Sequence, residues 1–139
     1  MNWLSDKVFE IRQAATEILK QLTECFGQDW AKVKLIPKVL QLSNNKNYLY
    51  RMTVLYAVKQ LSTIVGKEVV QQQILPIVIK MSVDTVPNIR FNCCKAIAAF
   101  IPKLDTSVVH QTVKPILMKL HDDHDADVKY FAAQALALC

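Results

Sequence analysis

A basic residue recurs at Arg12, Arg51, Arg90 and Lys129, each 39 positions after the last. Each one closes a copy of the same short motif. The first copy reads Asp6-Lys7-Val8-Phe9-Glu10-Ile11-Arg12 and the second Asn45-Lys46-Asn47-Tyr48-Leu49-Tyr50-Arg51. The third is Asp84-Thr85-Val86-Pro87-Asn88-Ile89-Arg90, and the last Asp123-His124-Asp125-Ala126-Asp127-Val128-Lys129. Prolines keep the same step at Pro37, Pro76 and Pro115, and so do Gly27 and Gly66. A fixed period of this size marks a stacked array, in which one unit cannot bury its apolar face without its neighbours.

Within each period the apolar spacing is helical. Ile11, Ala14, Ala15, Ile18, Leu19, Leu22, Cys25 and Phe26 form a broad stripe that predicts a helix over 8–26, stopped by Gly27. Asp29 reads as the cap of a second helix over 30–42, which carries Pro37 inside it. Proline removes a hydrogen bond from a helix interior, but Leu35, Ile36, Val39 and Leu40 continue the stripe, so a bend is expected rather than a break. The pattern then repeats with helices over 48–65, 69–81, 88–101, 107–120 and 126–138. The unit is therefore a pair of antiparallel helices: an A helix bent by proline, a polar turn, and a B helix. Leu19, Val58, Ile97 and Leu136 share one slot of the B helix; Leu22, Leu61, Phe100 and Cys139 share another. The units expected are an orphan B helix at 1–27 and repeats at 28–66, 67–105 and 106–139. With most of the first A helix missing ahead of Met1 and only its end expected at Met1-Asn2-Trp3-Leu4, the chain reads as a piece of a longer rod. Its uncovered apolar face predicts self-association.

Composition narrows the function classes. Apolar residues make up 52% and charged residues 21% of the 139, so the chain has a core to bury. No apolar run approaches the roughly 20 residues of a membrane span, and Met1 opens no signal-peptide pattern. The formal charge is +5, and residues 43–82 hold Lys46, Arg51, Lys59, Lys67 and Lys80 against Glu68. Such a block suits an acidic partner or nucleic acid, but is also ordinary for a solvated helical surface, which is the reading preferred. Cys25, Cys93, Cys94 and Cys139 include no Cys-x-x-Cys pair and read as reduced packing residues. The cluster His121-Asp122-Asp123-His124-Asp125 has metal-ligand side chains, but five consecutive turn residues point several ways, so a solvated turn is expected. Two glycines leave no phosphate-binding loop, and pairing Cys94 with a distant histidine makes no nucleophile motif. The chain reads as a non-enzyme with no cofactor and no metal.

The 39-residue step, the A-helix proline and the turn Asp with a basic residue six places on resemble HEAT repeats. The fold implied is an all-α superhelix, an ARM-type solenoid of stacked helix pairs. In that family the Asp and Arg slots form hydrogen-bond ladders between repeats; Asn45 and Lys129 depart from the pattern. Longer segments narrow the resemblance. Ile11-Arg12-Gln13-Ala14-Ala15, Phe26-Gly27-Gln28-Asp29-Trp30-Ala31, Ile36-Pro37-Lys38-Val39-Leu40 and Asn47-Tyr48-Leu49-Tyr50-Arg51-Met52-Thr53 are four of them. Asn88-Ile89-Arg90-Phe91-Asn92, Val113-Lys114-Pro115-Ile116-Leu117 and Asp127-Val128-Lys129-Tyr130-Phe131-Ala132 are the others. Together they are similar to the carboxyl-terminal repeats of the scaffolding (65 kDa, A-type) subunits of protein phosphatase 2A.

That resemblance implies a non-catalytic scaffold whose turns between A and B helices grip the catalytic subunit of the phosphatase. Regulatory B subunits are implied to dock on upstream repeats absent here. The contact residues it implies are Phe9, Tyr48, Arg51, Val86, Asn88 and Arg90. Exposed aromatics beside arginine at the start of a B helix have the composition favoured at interface hot spots. The rival reading is a HEAT-type transport receptor or nucleic-acid-associated adaptor, suggested by the basic block. No nucleic-acid or membrane partner is expected, and the implied location is the cytoplasm, with the nucleus second.

Overall fold

The computed structural model describes residues 2–139, and side chains from Trp3 onward. The chain is helical throughout, with no strand among the described residues. A single 3-10 turn, Asn2–Ser5, leads into α1 (Phe9–Phe26). Three helical hairpins follow: α2 (28–41) with α3 (Tyr48–Leu61), α4 (67–81) with α5 (Pro87–Phe100), and α6 (106–121) with α7 (Ala126–Leu136). The turn Asn2–Ser5 falls 39 residues before the last residue of α2 and the 3-10 turn Leu42–Asn44 that follows it, in the slot predicted for the tail of an A helix; Met1 lies outside the described residues. The B helices stack in sequence, α1 on α3, α3 on α5 and α5 on α7, and each A helix packs along its own B helix.

The core runs the length of the stack. Leu19, Val58 and Ile97 of one slot and Leu61 and Phe100 of the other are buried, while Leu22, Leu136 and Cys139 are partly so. Cys93 and Cys94 are both fully buried although they leave α5 on different sides, because α5 is enclosed by α3 and α7. Burial holds the Cys93 thiol well above its usual range and pushes Cys94 up to about 12. In both, burial disfavours the thiolate that a nucleophile requires.

The A helices bend in a specific way. At Ala31–Leu35, Val70–Ile74 and Val109–Val113, again 39 residues apart, one turn widens to π-helix. The residue before each proline donates five residues back: Ile36 to Ala31, Leu75 to Val70 and Lys114 to Val109. A proline ring collides with the carbonyl four residues earlier and brings no N–H of its own. One extra residue in the turn relieves both problems without ending the helix. The inserted residue also resets the side-chain register, so Ala31, Leu35, Ile36 and Val39 all reach the core.

The helix bounds differ from expectation at several ends. α2 starts at Gln28 rather than Trp30, so Asp29 sits in its first turn and Gly27 holds the cap position. α3 ends at Leu61, four residues early, and Ser62–Val65 coils into turns before Gly66. The two glycines also do different work. Gly27 has φ +88°, a conformation that a side chain strains, and its N–H donates to Thr23 O at 2.9 Å. Gly66 has φ −69° and needs no such freedom; its N–H donates to Gln28 Oε1 at 2.9 Å. A Cβ there would lie 3.1 Å from that oxygen.

Candidate protein-binding site

The recurring motif builds one turn three ways at once. In every copy the slot-one side chain accepts the N–H two residues on: Asp6 from Val8, Asn45 from Asn47, Asp84 from Val86 and Asp123 from Asp125, each at 2.9 Å. This Asx geometry fixes the corner before the B helix. The arginine then ties the turn shut from inside. Arg12 Nη1 donates to Asp6 O at 2.7 Å, Arg51 Nη1 to Asn45 O at 2.8 Å and Arg90 Nη1 to Asp84 O at 2.8 Å. The rest of the guanidinium crosses to the next repeat. Arg51 Nε and Nη2 meet Asp84 Oδ2 and Oδ1 at 2.7 and 3.0 Å; Arg90 meets Asp123 at 2.8 and 2.9 Å. These are bidentate forks, with Arg90 holding the Asp123 carboxyl below the usual range.

The rung between Arg12 and Asn45 is missing, and the chemistry of asparagine explains it. Asparagine carries one acceptor oxygen, which takes the Asn47 N–H, and an uncharged NH2 donor where a carboxylate has its second oxygen, so it cannot take a bidentate fork. Arg12 is buried, bonded to its own turn and 5.8 Å from the centre of the Phe9 ring. The acidic cluster is also resolved. Asp123 is a rung, and Asp125 caps α7 by accepting from Asp127 and Val128 N–H. Asp122 is exposed, 3.9 Å from His121. The turn is thus more than solvated: two of its acids are structural. Among the described residues no group of three or more His, Cys, Asp or Glu is placed to hold a metal ion.

Of the six contact residues expected, three come together. Phe9, Tyr48 and Asn88 line one groove between α1 and α3, about 110 Å³ in volume, together with Met52 and Tyr56. Phe9 is 46% and Tyr48 42% exposed, so both present ring surface to solvent at the turn end of the B helices. Val86 is half-buried against the core at the start of α5. The Arg51 and Arg90 side chains are only 13% and 16% exposed, committed to the rungs. Tyr56 lies outside the expected set. It is 42% exposed and meets Phe9 edge-on at 6.1 Å. The sequence carries its signal, since Tyr48, Met52 and Tyr56 recur every fourth residue and so share one face of α3.

The same face continues along the stack. Phe91 and Phe131 stack at 5.5 Å with Lys95 over both rings, at 4.9 and 4.1 Å. A second groove of about 200 Å³ lies between α3 and α5, lined by Tyr56, Lys59 and Lys95. The B helices therefore offer an aromatic band edged with positive charge, the composition of a protein-binding surface. The basic block of 43–82 forms no single patch. Arg51 pairs with Asp84, Lys67 with Asp105, and Lys80 donates to Asn44.

Stacked helix pairs joined by rungs, with a continuous face along the B helices, define an all-α repeat protein of the solenoid type. Comparison with known proteins agrees. Residues 74–104 match the HEAT repeat family. A 44-residue stretch is 46% identical to the regulatory A-type subunit of protein phosphatase PP2A from Pisum sativum, covering 32% of this chain and 11% of that relative. Among solved structures, a designed armadillo repeat protein superposes with a TM-score of 0.59 at 19% identity, covering 99% of this chain and 61% of that one. An engineered protein does so with a TM-score of 0.60 at 16% identity, covering 99% and 59%. At these identities the two structures bear on the fold alone.

Proposed function

We propose that this chain is a non-catalytic scaffold element of a type 2A serine/threonine protein phosphatase, and that the turn end of its B helices holds the catalytic subunit. The observation that carries the reading is the 46% identity over 44 residues to a phosphatase regulatory chain of the A type. The groove of Phe9, Tyr48, Met52 and Tyr56 supports it, because these side chains leave aromatic surface open to solvent beyond what their contacts within the stack cover. Tyr48 is the central anchor. Asn88 shares the groove with it, and Arg51 and Arg90 act by fixing the corners from which the B helices start. A cytoplasmic location, with a nuclear pool, goes with this reading.

Titration of the purified phosphatase catalytic subunit onto the immobilised chain tests it. Saturable binding is expected, weakened by about 1–2 kcal/mol in Tyr48→Ala while thermal unfolding stays unchanged. Absence of binding, or binding indifferent to Tyr48→Ala and to a Tyr48→Ala, Tyr56→Ala pair, would remove this groove from the site.

A further inference from the structure

The two central B helices carry basic residues and no acidic ones. α3 holds Arg51 and Lys59, and α5 holds Arg90 and Lys95, with no Asp or Glu on either helix. The arginines are committed to the rungs, which leaves the lysines. Both lysines line the groove between these helices, together with Leu55, Tyr56 and Asn92. Elsewhere the ammonium groups of Lys32, Lys67, Lys80 and Lys103 each find an oxygen partner. Lys59 and Lys95 find none among the described residues. A cleft lined by charge of one sign concentrates its field and favours an occupant of the opposite sign.

The groove is also shaped for more than a loose counter-ion. Lys95 Nζ lies 4.9 Å from the centre of the Phe91 ring and 4.1 Å from that of Phe131. The rings fix the ammonium on one side and leave its other side for a carboxylate. Tyr56 and Lys59 stand three residues apart on one face of α3, as Asn92 and Lys95 do on α5. Asn92 Nδ2 is bonded to Asn88 O and Oδ1 at 2.7 and 2.9 Å, so the Asn92 side-chain oxygen is the group left to accept a peptide N–H. Tyr56 is 42% exposed and offers ring surface for an apolar side chain. Both helices are interior to the stack, α3 between α1 and α5 and α5 between α3 and α7.

We propose that this groove is a second docking site, and that it takes an acidic peptide segment. Carboxylates sit between Lys59 and Lys95, and a neighbouring aromatic or aliphatic side chain packs on Tyr56. The inference rests on the charge and surface of α3 and α5, and not on the phosphatase reading. A peptide fits better than a nucleic acid. Strong phosphate-backbone binding draws on roughly 6–10 cationic contacts, and the cations of this groove are two lysines.

Selection of a random nonapeptide library on the whole immobilised chain tests this. The recovered peptides should carry aspartate or glutamate beside an aromatic or aliphatic residue. The best of them, labelled with fluorescein, should bind about fivefold more weakly to Lys59→Gln and to Lys95→Gln, and more weakly still to the pair. Lys38→Gln removes the same charge from an exposed site on α2 and should leave binding unchanged. Helical circular dichroism at wild-type strength would show the variants folded. Lys59 is exposed and touches neither ring of the Phe91–Phe131 stack, so Lys59→Gln keeps the test readable if Lys95→Gln disturbs that stack. Recovered peptides without an acidic preference would overturn the proposal. So would an equal loss in Lys38→Gln, the mark of attraction by net charge alone. A single-stranded oligonucleotide that displaces the peptide at a lower concentration than unlabelled peptide does would overturn it too, and would assign the groove to nucleic acid.

Discussion

An Arg90→Leu chain should unfold with about 2–4 kcal/mol less stability than the wild type, because one side chain holds two repeats together. Arg90 donates to the carbonyls of Asp84 and Thr85 in its own turn and forks onto Asp123 in the next. Leucine keeps the stem and removes every donor, leaving the Asp123 carboxylate, 13% exposed, without its cation. Urea unfolding followed by circular dichroism measures the loss, and Asp123→Ala alone and combined with Arg90→Leu isolates the coupling. The pH dependence gives a second signature. Arg90 depresses the Asp123 carboxyl in the folded chain, first through its hydrogen bond. The stability it contributes is therefore complete above the ordinary carboxylate pKa of about 4, and is lost as pH falls through the lower folded value. Arg90→Leu should flatten that part of the acid limb. Asn45→Asp is the converse: it supplies the missing acceptor for Arg12 and should add about 1 kcal/mol. A silent Arg90→Leu, or an unchanged acid limb, would show that the rungs contribute nothing to the stack.

Phe100→Ala should cost more, about 3–5 kcal/mol, through the lost transfer energy and the cavity left behind. Phe100 is fully enclosed and heads the largest buried side chains of the chain. It lies on α5, which packs against α3 on one side and α7 on the other. In a repeat array stability is a sum of unit and nearest-neighbour terms, so loosening α5 weakens the interfaces on both sides. Such a loss is a large share of the roughly 5–15 kcal/mol that a domain commonly has. The same slot in the last repeat holds Cys139, which is only partly buried. Cys139→Ala should cost under about 1 kcal/mol in the same denaturant titration, as fits a half-exposed small side chain. Equal effects at the two positions would contradict a core that is deepest in the middle of the stack.

Much of this architecture is legible in the spacing alone. The 39-residue step places the turns, the prolines and the paired helices, because identical slots must meet identical neighbours in a stack. The prolines announce a bend but not its form, since the π turn at Ala31–Leu35 follows from how the backbone relieves a clash rather than from any residue type. Helix ends are less legible where local signals compete. Asp29 resembles a cap, yet positive φ at Gly27 lets the helix begin earlier. The rungs follow from family resemblance but not from local pattern, because their partners lie 33 residues apart. That Arg51 and Arg90 are spent on the rungs, and so lost as free contact groups, shows only in their burial. Tyr56 escapes a reading centred on the turns, because the groove extends two helical turns down α3.

Hydrogen–deuterium exchange on the chain, with and without the phosphatase catalytic subunit, decides whether the B-helix face is the docking surface. New protection is expected at the turn end of the B helices, around Phe9, 48–56 and 86–88. The exposed A-helix positions Val33, Lys34 and Gln72 should exchange as before. Protection confined to the A helices, or none at saturating partner, would show that the catalytic subunit does not dock on this face.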